Sequence, residues 1–272
     1  AALIADYGAE TVRAELDALS DRAEALARAE IAALPDGEWL AEDWLDNDGI
    51  TDTALPIRVR LAIAGEAMTL DFTGTAPATA GPVNISRGTA EAAVYVAIKH
   101  IFPDLPANAG VMRPITVQVP ERSLLAAEFP APTGGYTETI LRMIDVIFAA
   151  MAQAAPGRVV VNAYGTINAL SLAGHRADGR RWVMFSFYGG GHGGNPEGDG
   201  LNHGNAPIST ATIPPVEILE AAYPVRFTQW ALRPDSAGAG AHRGGLGAVY
   251  EIELLEEQAD VFLFGERGRH PP

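Results

Sequence analysis

The chain has 272 residues, 34 acidic and 19 basic side chains and a formal charge of −15 at pH 7. At about 150 residues per domain this is one large domain or two modest ones, and 48% hydrophobic with 19% charged residues is the composition of a globular protein. The acidic balance excludes a basic nucleic-acid footprint, and the absence of cysteine excludes disulfides, thiolate metal sites and cysteine nucleophiles. Apolar runs such as Val159–Val161 and Val261–Phe264 are too short to span a bilayer. With no signal sequence and no cysteine, the expected compartment is the cytoplasm.

The first segment, Thr11 to Leu34, is predicted to be a helix rich in Ala, Leu, Glu and Arg. Val12, Leu16, Leu19, Ala23 and Leu26 recur at helical spacing and give it an apolar stripe. Gly8 separates it from a short preceding helix, and Pro35-Asp36-Gly37 ends it. Ile57, Val59, Leu61 and Ile63 then alternate with polar or small residues, as do Met68, Leu70 and Phe72 after a turn at Gly65-Glu66. That pattern is a hairpin.

Thr89 to Phe102 reads as a helix opening near Glu91, and Ile115, Val117 and Val119 as a strand. Glu138 to Ala155 reads as a buried helix stopped by Pro156-Gly157. Further strands are expected at Val159–Val161, Ile167–Leu172, Trp182–Tyr188, Val225–Arg233, Ala248–Leu254 and Asp260–Phe264, with a turn at Asp178-Gly179. Helices and strands come in blocks without βαβ alternation, so the fold class is α+β: mixed, largely antiparallel sheets packed with a few helices and long glycine-rich loops.

Two glycine loops stand out. Gly189–Asn205 contains His192, Asp199 and His203. Glycines let a backbone approach a ligand closely and let successive N–H groups form an anion nest. The two histidines and the carboxylate either converge, on a metal or an active site, or are solvated in a surface loop. The second loop, Ser236–Gly247, carries His242 and Arg243; it either clamps an anion or serves as a strand crossing. Neither is a P-loop, because no Gly-Lys-Ser/Thr follows and Lys99 is the only lysine. Asn84 could donate to an oxyanion. Asp71 suits an Asx turn, Glu138 either complements a helix dipole or acts as a base, and Arg113 suits a binding edge.

Several blocks together resemble the hydantoinase B/oxoprolinase family. They are DFTGTAP at Asp71–Pro77, GPVN at Gly81–Asn84, PANAGVMRPI at Pro106–Ile115 and TET at Thr137–Thr139. They continue with GGGHGGNPEGDG at Gly189–Gly200, PPVEILEAAYPVR at Pro214–Arg226, LRPDSAGAGAHRGGLG at Leu232–Gly247 and the ending GERGRHPP. The resemblance runs over nearly all of residues 1–272 and implies a large subunit of an ATP-dependent hydrolase that opens a hydantoin, 5-oxoproline or a lactam. Related subunits serve ketone carboxylases. It also implies a hydantoinase A-type partner that binds ATP and Mg and phosphorylates the substrate, within a hetero-oligomer.

Members carry a divalent metal, Zn or Mn, on a segment with Gly-Gly-Thr-His-x-x-Asp and His-His-x-Asp patterns. These patterns are absent here, so the chain is expected to be a C-terminal portion lacking the metal-binding part, and no metal ligand is assigned. Where many members have a His-Thr-His run, this chain has Asn205-Ala206-Pro207. On this reading His192, Asp199 and, as a further choice, Glu138 are the catalytic candidates. Asn84, Arg113, Gly190, Gly191 and Gly193 are the substrate-binding ones. A carboxylase using bicarbonate and a non-catalytic scaffold for the ATP-binding partner are the alternatives.

Overall fold

The computed structural model describes residues 2–159, 162–209 and 212–272. The strand expected at 159–161 therefore lies, apart from Val159, outside the described residues. At the N-terminus, α1 (Ala2–Tyr7) and α2 (Ala9–Ala32) meet at Gly8, whose φ of 81° only glycine adopts without strain. Of the expected stripe on α2, Ala23 is buried and Val12 half-buried, but the leucines are not. Leu16, Leu19 and Leu26 remain 59%, 56% and 40% exposed, while Ala23, Ala27 and Ile31 are buried. Only the second half of α2 packs deeply, and its alanines allow the close approach. At Gly110, the second residue of a short 3-10 turn at Ala109–Met112, a Cβ would stand 2.0 Å from the Ser20 carbonyl oxygen of α2.

The first sheet has the order β1 (Gly37–Leu45), β2 (Leu55–Ala64), β3 (Ala67–Asp71), β4 (Ile115–Gln118). β2 and β3 form the expected hairpin, and β4 joins β3 in parallel. β1 had no predicted counterpart; it pairs antiparallel with β2 along its whole length. Ile57, Val59, Leu61, Ile63, Met68 and Leu70 bury one face in a core shared with α4 (Tyr136–Ala154), which packs on β1 and β2, and with α3 (Arg87–Ile101), which packs on α4. α3 opens at Arg87 rather than near Glu91, because the Ser86 hydroxyl accepts the Thr89 N–H at 3.2 Å and caps the helix there. α4 is buried on almost every side from Glu138 to Met151.

The second half holds a three-stranded antiparallel sheet in the order β6 (Arg181–Tyr188), β5 (Asn168–His175), β9 (Ala259–Phe264). Beside it lies the pair β7 (Val225–Leu232) and β8 (Ala248–Leu254). Leu172, Trp182, Met184 and Val225 form the small core between them. A short helix, α5 (Val216–Ala222), precedes β7. The architecture is α+β with mostly antiparallel pairing, as the blockwise order of elements predicts. Among the described residues no helix is long and apolar enough to cross a membrane.

Candidate functional site

The two glycine loops meet. Gly200 N–H donates to the Arg243 carbonyl at 2.8 Å, Gly245 N–H to the His192 carbonyl at 2.7 Å and His203 N–H to the Leu246 carbonyl at 2.7 Å. Such closeness needs glycine: a Cβ on Gly245 would stand 2.1 Å from the Leu201 carbonyl oxygen, and one on Gly200 2.0 Å from that of His192. Between the loops and the C-terminal end of α4 opens a cleft of about 1010 Å³. Its walls include Gly190–Gly194, Tyr164, Asn162, Ser236, His242 and Pro272. That is a volume suited to a small-molecule ligand.

His192 stands in this wall, half-buried, with Nε2 hydrogen-bonded to the Asn205 backbone carbonyl. The N–H groups of Gly190, Gly193 and Gly194 have no hydrogen-bond partner among the described residues, whereas Gly191 donates to the Gly204 carbonyl and His192 to the Leu201 carbonyl. Unpaired glycine amides on either side of His192 in this wall are groups able to hold an oxyanion or phosphate oxygen. Gly191, with φ of 99°, forms the turn and receives the Tyr164 N–H at 3.2 Å.

Asp199 lies at the seam of the loops. Its carboxylate accepts the Arg243 N–H at 3.0 Å and pairs with Arg243 Nε at 3.1 Å; His242 Nδ1 is 3.9 Å away. His203 points elsewhere: its Nε2 meets the Tyr250 hydroxyl at 2.5 Å and Trp230 Nε1 at 3.3 Å, and burial lowers its pKa. His192, Asp199 and His203 thus have three separate sets of partners and do not converge. Among the described residues no group of three or more His, Asp or Glu is placed to hold a metal. The described residues, taken together, do not fit a metal centre.

The other candidates lie outside the cleft. Asn84 is fully buried; its Nδ2 donates to the Thr79, Gly81 and Pro132 carbonyls and its Oδ1 accepts the Thr79 N–H. It locks the Thr79–Asn84 turn. Arg113 bridges Asp21 at 2.7 Å and Glu24 at 3.1 Å on α2. Asp71 accepts from Thr73 and pairs with Arg60, the Asx turn expected of it. Glu138 is buried at the start of α4, behind Tyr164, where its Oε1 accepts the Ile167 N–H at 3.0 Å and its Oε2 has no partner among the described residues. Burial raises its pKa to about 7 against the Thr166 hydroxyl and the Ile167 N–H, which favour the carboxylate.

Beside Glu138 two arginines are sealed in. Arg142 pairs with Glu266 at 2.8 Å and Asp43 at 3.3 Å; Arg267 pairs with Asp43 at 2.7 Å and with Asp145. The Asp46 carboxylate receives the N–H groups of Gly268, Arg269 and His270. This network ties the C-terminal segment to α4 and β1 and delivers Pro272 to the cleft rim. Tyr164, like Asn162, lines the cleft without any motif in the sequence flagging it, because it sits alone between unrelated segments. The only local signal is its position just ahead of Gly165.

Fold and cleft define an α+β chain with a cleft of small-molecule size between two glycine loops. The hydantoinase B/oxoprolinase family model matches residues 1–272, and the chain belongs to that family. It is 31% identical over 267 residues to the B-type subunit of a D-/L-hydantoinase from Pseudomonas sp. (strain NS671), covering 94% of this chain and 45% of that one. It is 30% identical over 280 residues to the beta chain of caprolactamase from Pseudomonas jessenii, covering 99% and 48%. The chain thus spans less than half the length of these relatives. The crystal structure of the ATP-dependent caprolactamase from Pseudomonas jessenii superposes with a TM-score of 0.80 at 28% identity, over 93% of this chain and 45% of that chain. Nucleotide-free acetone carboxylase shares the fold, with a TM-score of 0.84 at 17% identity over 98% and 38% of the two chains.

Proposed function

We propose that this chain forms part of the large subunit of an ATP-dependent hydrolase that opens a cyclic amide or imide, working with a hydantoinase A-type partner that binds ATP and Mg. The observation that carries the reading is the cleft in which His192 stands among three unpaired glycine amides. Family membership and relatives named as hydantoinase and caprolactamase subunits support it.

An amide carbon is a poor electrophile. Transfer of the ATP γ-phosphoryl group to the amide oxygen on the partner makes it a good one. Water then adds to that carbon while His192 takes the water proton. The Gly190, Gly193 and Gly194 amides hold the phosphate or the developing oxyanion. The C–N bond breaks with a proton delivered to nitrogen, leaving an open-chain acyl phosphate. A second water releases inorganic phosphate and the carboxylate. Asp199 positions the second glycine loop through Arg243. Asn84, Arg113 and Glu138 support the fold around the cleft in this scheme.

The test uses the full chain co-purified with its ATP-binding partner, screened against hydantoins, 5-oxoproline and lactams for ADP release and ring-opened product. His192→Ala is expected to lower kcat by about 100-fold or more without preventing assembly. Unchanged turnover in that variant overturns the role of His192. ADP release driven only by a ketone with bicarbonate makes the protein a carboxylase, and no stimulation at all leaves a scaffold.

A further inference from the structure

Tyr164, Asn205 and His192 come from separate stretches of chain and form one hydrogen-bonded line beside the cleft. The Tyr164 hydroxyl donates to Asn205 Oδ1 at 3.0 Å, and the Ala206 N–H donates to the same oxygen at 2.8 Å. The Asn205 backbone carbonyl in turn meets His192 Nε2. A carbonyl oxygen only accepts, so the neutral imidazole carries its proton on Nε2 and its lone pair on Nδ1. Nδ1 has no hydrogen-bond partner among the described residues.

The backbone makes room for both rings. A Cβ on Gly190 would stand 2.3 Å from Tyr164 Cγ, and one on Gly204 would stand 2.8 Å from His192 Cδ2. Burial, followed by the neighbouring Glu138 charge, raises the Tyr164 pKa far above that of a free phenol, so the hydroxyl remains a donor.

We infer that Asn205, anchored by Tyr164, is the positioning residue that fixes His192 in its Nε2–H form and leaves Nδ1 as the basic atom of the cleft. The functional weight of this inference rests on the reading of His192 as proton acceptor. The tautomer itself does not.

The carboxamide of Asn205 acts as an acceptor alone, since its Nδ2 makes no hydrogen bond among the described residues. Asn205→Asp therefore keeps both incoming bonds, Asn205→Ala loses both, and Tyr164→Phe loses one.

The experiment is 15N-imidazole NMR on the histidine-labelled full chain, with the His192 signals assigned by their loss in His192→Ala. The other five histidines report whether each variant keeps the fold. The wild type and Asn205→Asp are expected to show the Nε2–H tautomer. Tyr164→Phe and Asn205→Ala are expected to show a mixture of both tautomers, with kcat in the assembled enzyme lowered at least about tenfold and KM changed less than about twofold. A folded Asn205→Ala that keeps the wild-type tautomer overturns the inference, as does an Asn205→Asp that behaves like the alanine variant. If the tautomer responds as expected but His192→Ala turns over normally, the positioning stands and the proposed catalytic role of His192 falls.

Discussion

Glu138 shows how one buried atom sets a pH dependence. The residue is 1% exposed and one of its oxygens has no partner among the described residues. Its pKa is about 7 in the folded chain, against an ordinary 4.5. A raised carboxyl pKa stabilises the fold fully below pH 4.5, and that contribution is lost as pH rises through 7. Glu138→Gln mimics the protonated acid. It is therefore expected to match the wild type in denaturant titrations at pH 4.5 and to exceed it by on the order of 1–3 kcal/mol at pH 8. A pH-independent difference would remove Glu138 as the titrating group. Gly190 makes a second residue-scale case. Gly190→Ala drives a methyl into the Tyr164 ring, so a loss of about 1–3 kcal/mol in thermal unfolding is expected, together with loss of turnover. That His192 and its flanking glycines line the cleft follows a run, Gly-Gly-Gly-His-Gly-Gly, that stands out in the sequence by itself. Tyr164 was not, because its place opposite Gly190 exists only once distant segments meet. Asn84 misled in the other direction: a polar residue among glycines suits an oxyanion donor, yet here every polar atom of its side chain is spent on its own turn and on Pro132.

At the scale of elements, periodicity located the long helix and the burial of Ala23, but not the exposure of Leu16, Leu19 and Leu26. Leucines at helical spacing make an apolar stripe wherever they fall, but a sequence does not say which part of a long helix has a neighbour. The turn at Ala109–Met112 is one neighbour of α2, and its Gly110 leaves no room for a Cβ against the Ser20 carbonyl. Ile31→Ala is accordingly expected to cost about 2–5 kcal/mol, whereas Leu16→Ala, at an exposed site, is expected to change stability by less than about 0.5 kcal/mol. Chemical denaturation of the two variants checks the assignment, and comparable losses would restore the leucine face. β1 escaped notice for a related reason. Its Glu38, Glu42 and Asp43 look like a solvated loop when read alone. In the sheet, Glu38 pairs with Arg60 at 2.9 Å and Glu42 with Arg58, side by side across β1 and β2. The charges belong to the partner strand's pattern, and only the register reveals that. The hairpin of β2 and β3 was legible because both of its strands alternate by themselves.

At the scale of the molecule, the sealed ionic network holds distant parts of the chain to one another. Arg142 on α4 is 0% exposed and reaches both Asp43 on β1 and Glu266 beyond β9. Burial raises the pKa of Asp43, Asp145 and Glu266 alike, with Arg142 acting against that rise in each. These carboxylates depend on the guanidinium groups to remain charged at low cost. Arg142→Met keeps volume but removes a cation, leaving Asp43 to Arg267 and Glu266 without an ion-pair partner among the described residues. A loss of about 3–5 kcal/mol is expected, because a buried charge left uncompensated costs more than the pair returns. The loss should also be directional. The segment that Asp46 holds through the Gly268, Arg269 and His270 N–H groups is anchored beside Glu266, so those amides should exchange with solvent faster in Arg142→Met than in the wild type. Amides in the β2–β3 hairpin should slow or quicken only with global stability. Native-state hydrogen exchange separates the two. Uniform acceleration would show that Arg142 supports the whole core, while acceleration confined to the C-terminal segment would show that it serves chiefly to hold Pro272 at the cleft rim.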